Sequence, residues 1–347
     1  TEAEPLQRIE RQDLNPRATV WVDELTRDPQ AFALSVSRGL STRPRQLDCR
    51  YLYDEIGSEL FARITEQPEY YPTRAEAEIL ADHAEALAHE LGDAVICELG
   101  SGTSEKTRLL LDAWSRRADG EFHYVPVDID PVVLRGAAED LAAHHPNLHV
   151  SGLATSYENA LVRLRDVTPK ALLFLGSTIG NFDPAEMDKF LRQVEAALQP
   201  GDAFLLGIDL VKDPHVLEAA YNDAAGVTER FTLNLFDRMN RELDAAIPAE
   251  AVEHVAFWNE RQDQIEIYGR FRRDVRIELP DLEQSFSVER GEMVRVEVSR
   301  KFRVGPMAEA LASYRLRLDR ALTDADRRFA LLLLRRTSEV EPGDAAG

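Results

Sequence analysis

The 347 residues carry 41 Lys and Arg against 62 Asp and Glu, a formal net charge of −21, with 44% hydrophobic and 30% charged residues. That length suits one large or two modest globular domains, and the acidic excess argues against a nucleic-acid partner or an anionic membrane surface, which both need a basic face. Two cysteines, Cys49 and Cys97, without CxxC spacing, exclude a disulfide framework or zinc cluster, predict no metal, and point to a reducing cytoplasm.

Residues 1–20 are polar and without a clear period, and read as a loosely held arm; they show no export signal. Over 22–40 apolar residues recur at helical spacing, with Phe32, Leu34, Val36 and Leu40 able to line one face. Residues 51–69 are again helical and end in Pro68-Glu-Tyr-Tyr-Pro72, an extended elbow whose prolines fix the aim of Tyr70. Thr73 then reads as the N-cap of a helix over 74–90.

After Gly92 short apolar runs (94–99, 122–127, 150–153, 171–175, 203–208) alternate with helical segments (106–114, 132–143, 186–198). The pattern predicts an α/β fold, a mostly parallel, Rossmann-like sheet with helices on both faces. Beyond residue 211 the rhythm stops: 214–236 reads as helix, 252–258, 264–271 and 294–302 as strands of a second α+β sheet domain. Residues 307–322 read as helix, 328–334 as a returning strand too short to span a membrane, and 339–347 as a disordered tail. The eight histidines show no ligand spacing, and His144-His145 reads as a solvated helix end.

The sharpest local signal is Glu98-Leu-Gly100-Ser-Gly102, a strand ending in a Gly-x-Gly turn that opens a helix, where backbone can approach a ligand. Glu105 stands where a dinucleotide fingerprint has its third glycine, so a pyrophosphate site is disfavoured. Asp128 ends the next strand, where an acid can accept two ribose hydroxyls. Glu98, Gly100, Gly102 and Asp128 resemble the class I S-adenosylmethionine-dependent methyltransferases, whose cofactor has a cationic sulfonium and no phosphate; an acidic pocket suits it.

Six ordered blocks narrow the resemblance: Tyr51-Leu-Tyr-Asp54, Pro68-Glu-Tyr-Tyr-Pro-Thr-Arg74, Glu98-Leu-Gly-Ser-Gly-Thr-Ser-Glu-Lys-Thr107, Leu175-Gly-Ser-Thr-Ile-Gly-Asn181, Asp209-Leu-Val-Lys-Asp213 and Glu297-Val-Ser299. From Phe32 to Leu334 the chain resembles the L-histidine Nα-methyltransferases of ergothioneine biosynthesis. The resemblance implies up to three methyl transfers from S-adenosylmethionine to the α-amino nitrogen of L-histidine, giving hercynine and S-adenosylhomocysteine. It also implies an interrupted cofactor domain (76–211 and 302–338) and a substrate domain of 21–75 with 212–301. The cofactor falls to Gly100, Gly102, Lys106, Asp128, Ser156, Tyr157, Gly176, Ser177 and Thr178. Asn181 falls to the substrate's α-amino and carboxylate groups, Tyr70 and Tyr221 to its carboxylate, and Tyr53 to the neighbourhood of the reacting nitrogen. Glu297 and Ser299 would read the imidazole, with Ile267 lining its pocket where a methionine can stand in the family. Ser156 replaces an acidic adenine contact, while Tyr157 keeps the stacking ring.

Read on residues alone, Asn181 also fits a turn supporting its own backbone, and each tyrosine fits a core or surface position. Glu297 and Ser299 share one face of a strand, as an exposed alternating strand would also have it. Three other functions stay open at this point: methylation of another amino acid or small amine, a nicotinamide-dependent dehydrogenase, and a non-catalytic S-adenosylmethionine-binding protein. A monomer in the cytoplasm is expected.

Overall fold

The computed structural model describes residues 9–23, 29–118 and 120–338, and the expected tail over 339–347 lies outside them. The chain divides into two compact units. One takes the N-terminal strands, Ala75–Leu210 and the chain from Phe302; the other takes the segment ending at Arg74 and Val211–Lys301.

In chain order the elements begin with β1 (Ile9–Asn15), β2 (Ala18–Asp23), α1 (Pro29–Ser41), α2 (Glu55–Thr65) and α3 (Pro72–Leu91). An alternating series follows: β3 (Val95–Leu99), α4 (Thr107–Arg117), β4 (Phe122–Asp128), α5 (Pro131–His144), β5 (Leu148–Ala154), α6 (Tyr157–Arg163), β6 (Lys170–Phe174), α7 (Pro184–Ala197) and β7 (Ala203–Asp209). Then come α8 (Pro214–Ala220), α9 (Val227–Leu243), β8 (Val252–Asn259), β9 (Gln264–Phe271), β10 (Val275–Leu279), β11 (Gln284–Val288) and β12 (Met293–Arg300). The chain closes with α10 (Val304–Ala312), β13 (Leu316–Thr323) and β14 (Phe329–Arg336).

The first unit is built on a nine-stranded sheet in the order β1-β2-β5-β4-β3-β6-β7-β14-β13. Pairing from β2 through to β7 is parallel, and β1, β14 and β13 join antiparallel. Every residue of β6 and β7 is buried, and apart from Lys170 and Asp209 at their ends both strands are apolar, as strands covered by helices on both faces are. Cys97 on β3 is fully buried, and burial pushes its thiol up to about 12. At the start of β6, Lys170 Nζ lies 2.6 Å from Asp202 Oδ2, both side chains sealed from solvent. The strand order reverses beside β3, between β4 and β6, the place where open α/β sheets bind ligands at the carboxyl ends of their strands.

Several expectations are corrected. The loose arm over 1–20 is a β-hairpin over its described part: Ala18, Val20 and Val22 are buried, and β2 pairs parallel with β5. Arg17 donates to the carbonyls of His145 and Ala142, 2.7 Å each, satisfying the end of α5. That hairpin places residues 18–23 with the sheet, although 21–75 was expected in the substrate domain. The helix expected over 22–40 is therefore α1 alone. Pro72 occupies the first position of α3, so Thr73 lies inside the helix rather than capping it. His145 is not solvated: it is 5% exposed and its Nε2 lies 2.6 Å from Asp112.

Residues 214–236 form two helices rather than one, because Asp223 ends the first stretch by accepting from Val227 N and Thr228 N at the start of α9, 2.8 Å each. The helix expected over 307–322 stops at Ala312, and β13 follows as an edge strand after Arg315 at φ +56°. In the second unit a three-stranded antiparallel sheet, β12-β9-β8, and the hairpin β10-β11 share one core with α1, α2, α8 and α9.

Candidate functional site

In the sheet unit, the turn after β3 carries the chemistry. Gly100 and Gly102 take φ of +70° and +50°, which a residue with a Cβ resists. Gly100 N and Ser101 N donate to Val127 O at the end of β4, 2.8 and 3.0 Å. A Cβ on Gly100 would stand 2.6 Å from Tyr157 Oη, so the tyrosine comes against the turn. Beyond Gly102 the space a Cβ would enter is open. Gly102 N donates to Asp128 Oδ2 (2.9 Å) and Asp130 N to Oδ1 (3.0 Å). Burial raises the Asp128 pKa against the pull of these two N–H groups. Each carboxylate oxygen keeps a lone pair for a hydroxyl donor.

Glu98 behaves otherwise. It was read as part of an acidic cofactor pocket, but it is 3% exposed and accepts from Thr107 Oγ1 (2.7 Å) and Tyr124 Oη beneath the turn. It braces the loop from behind. Lys106 is joined to Glu76, a fully buried carboxylate on α3 that also accepts from Gly176 N at 2.8 and 3.0 Å. Sequence reasoning missed Glu76, which lies 100 residues from its glycine partner.

After β6, Ser177 stands at φ +57° and its Oγ accepts from Asp209 N (2.9 Å), while Thr178 Oγ1 donates to Leu175 O (3.0 Å). These two hydroxyls hold the loop's shape, and Asn181 ends its 3-10 turn half-buried. Ser156 caps α6 by accepting from Asn159 N at 3.3 Å, so the serine has a helix-capping use of its own. Tyr157 packs edge-on against Phe174, centroids 5.4 Å apart.

The second unit gathers the other named side chains. Tyr53 packs on Phe61 and Phe231 (5.5 and 5.4 Å), Phe61 on Tyr70 (6.3 Å), and Tyr70 on Tyr221 (6.1 Å), a continuous aromatic row. On the three-stranded sheet Glu297 lies directly opposite Ile267 and Ser299 opposite Ile265, so all four share one face. Tyr221 Oη lies 2.7 Å from Ser299 Oγ, and Lys301 Nζ lies 2.8 and 2.7 Å from those same oxygens. Lys301 was missed too, although 297, 299 and 301 follow the strand period.

This is a glycine turn and strand-end acid in one unit, and a carboxylate, two hydroxyls and an aromatic row in the other. A sequence profile described as a histidine-specific, SAM-dependent methyltransferase matches residues 32–336. The chain belongs to this histidine-specific methyltransferase family. A histidine N-alpha-methyltransferase of Mycolicibacterium smegmatis is 43% identical over 306 residues, 88% of this chain and 94% of that protein. One of Mycobacterium tuberculosis is 39% identical over 303 residues, 87% of this chain and 94% of that protein. An ergothioneine biosynthesis protein 1 of Neurospora crassa is 38% identical over 197 residues, 55% of this chain and 22% of that protein.

As a member of the histidine-specific methyltransferase family the chain is an S-adenosylmethionine-dependent N-methyltransferase acting on a small molecule, and the dehydrogenase and non-catalytic readings fall. The residues present fit the cofactor: the open space at Gly102 admits it, and Asp128 has lone pairs for a ribose diol. Among the described residues no cluster of His, Cys, Asp or Glu could hold a metal, and no helix is long and apolar enough to cross a membrane.

Proposed function

We propose that the enzyme methylates the α-amino nitrogen of L-histidine, up to the trimethylated betaine hercynine, as the first step of ergothioneine biosynthesis. The observation that carries this reading is one sheet face with Glu297 opposite Ile267 and Ser299 two residues on, bonded to Tyr221. A carboxylate and a hydroxyl two residues apart on one sheet face match the two nitrogens of an imidazole. An apolar side chain there would offer Glu297 no hydrogen bond, which disfavours other amino acids.

Bound S-adenosylmethionine supplies an electrophilic methyl group. Gly100, Gly102, Asp128, Lys106, Tyr157 and the Gly176-Ser177-Thr178 loop would hold it, with Ser156 shaping α6 beside Tyr157. Methylation needs the amine's lone pair free and in line with the S–CH3 bond, so positioning supplies much of the rate. Asn181 offers an acceptor and a donor to the α-amino and carboxylate groups, Tyr70 and Tyr221 hold the carboxylate, and Tyr53 stands near the nitrogen that loses its proton. In the same reading the enzyme is a cytoplasmic monomer without nucleic-acid or membrane partners; sedimentation of the pure protein checks the oligomeric state.

Incubating the purified protein with S-adenosylmethionine and histidine, followed by mass spectrometry, is expected to show products one to three methyl groups heavier. No mass gain on histidine would overturn the reading; a gain on another amine alone would move the substrate. Glu297→Ala is expected to lower kcat/KM for histidine about 100-fold while S-adenosylhomocysteine binding stays unchanged. Undiminished histidine selectivity in that variant would remove Glu297 as the imidazole reader.

A further inference from the structure

The Tyr221, Ser299 and Lys301 contacts close a triangle with sides of 2.7, 2.7 and 2.8 Å, and all three residues are buried. An ammonium carries three N–H bonds and no lone pair, so both hydroxyl oxygens must accept from Lys301. Two hydroxyl protons remain, and the bond between Tyr221 and Ser299 consumes one of them. When Tyr221 donates to Ser299, the Ser299 proton is the one this bond does not use.

We infer that Lys301 is a positioning residue that fixes Ser299 as a hydrogen-bond donor, so that the site takes the neutral imidazole of its substrate and rejects the imidazolium. The inference rests on the histidine reading above. A neutral ring has one N–H, which Glu297 accepts, and one bare nitrogen, which needs a donor. Ser299 is that donor when Tyr221 donates to it. In the reverse order Ser299 would keep a lone pair for a second ring N–H. That order places a cationic ring one oxygen atom away from the Lys301 ammonium, two like charges in a buried setting. Glu297 and Lys301 offset each other, and a ring without charge fits between them.

Other titratable groups among the described residues of the neighbouring elements are engaged elsewhere. On β8, His254 bonds Tyr221 O (3.0 Å) and Thr232 Oγ1 (2.9 Å), and burial lowers its pKa. On β9, Glu266 lies opposite Val298 on the other face, engaged by Asn259, Gln264 and Tyr268. Glu218 on α8 accepts from Trp258 N (3.0 Å), Asp263 meets Lys301 through its backbone oxygen (2.7 Å), and Tyr70 packs edge-on against Tyr221.

The test is calorimetric titration of histidine into the protein with S-adenosylhomocysteine present, from about pH 5.5 to 8, above the ordinary carboxylate range. Wild-type affinity is expected to fall about tenfold per pH unit once the ring protonates, below about 6.5. Lys301→Met is expected to weaken binding about tenfold at pH 8 and to flatten this acid limb, while Lys301→Arg keeps the limb. Ser299→Ala, which deletes the donor but retains the lysine's charge, is expected to weaken binding at pH 8 and to keep the acid limb, and Lys301→Gln covers the case of a Lys301→Met protein that does not fold. An acid limb in Lys301→Met or Lys301→Gln as steep as in wild type overturns the role of Lys301 alone. Wild-type protein that binds no histidine at any pH overturns the histidine reading, and this inference with it.

Discussion

Glu98 receives hydrogen bonds from Thr107 and Tyr124, yet burial prevails and pushes its pKa from 4.5 up to about 7. A carboxyl whose pKa is raised by folding contributes stability below its unfolded value and loses it as pH rises through the folded value. The window therefore runs from about 4.5 to about 7, where the native protein retains a proton that the unfolded chain releases. Between those limits the stability of Glu98→Gln relative to wild type is expected to shift by about 3 kcal/mol in the variant's favour, since each pKa unit is worth about 1.4 kcal/mol. Urea melts at pH 5 and pH 8 measure the shift; parallel pH profiles for the two proteins would show that Glu98 does not titrate in this range. Asp202 is a buried carboxylate paired with Lys170, and it also accepts from Thr168 Oγ1, Lys170 N and Gln199 N. Asp202→Ala strands the lysine's charge and is expected to cost about 3–5 kcal/mol in the same melts.

Among the elements, the break between α8 and α9 depends on one side chain. Asp223 satisfies two N–H groups at the start of α9, and Asp223→Ala is expected to destabilise by about 1–2 kcal/mol by denaturant unfolding. The strands β6 and β7 were readable because burial on both faces leaves apolar runs, and β3 and β4 because short, largely apolar segments end at the glycine turn and at Asp128. β13 was not, because Leu-Arg-Leu-Asp-Arg-Ala-Leu-Thr is an edge strand whose apolar residues also suit a helix. β2 alternates over six residues inside a polar stretch, too short a signal to stand out. The same division holds at the site. The glycine turn and the acid after β4 are local features, written in consecutive residues. Tyr221 and Ser299 lie 78 residues apart, and their meeting depends on α8 docking on the three-stranded sheet, which no local pattern encodes.

On the scale of the whole chain, neither unit is a continuous segment. The core of the second unit draws Phe32, Val36, Leu40, Leu52, Leu60 and Ile64 from before residue 74 and Leu217, Phe231, Leu235, Ile265 and Ile267 from after residue 211. A fragment of residues 211–301 would lack every core residue supplied from before residue 74, and is expected to show no cooperative thermal transition; a sharp one would mean that the N-terminal helices are dispensable. The cysteines have a practical consequence. Cys97 is sealed within the central sheet, its thiol held protonated at neutral pH, whereas Cys49 is half-buried in the short turn that leads to Tyr53. A maleimide dye added to the unmodified protein should therefore label a single position, four residues from a proposed substrate-binding tyrosine. The natural sequence thus supplies a fluorescent reporter for histidine titrations without any engineered cysteine.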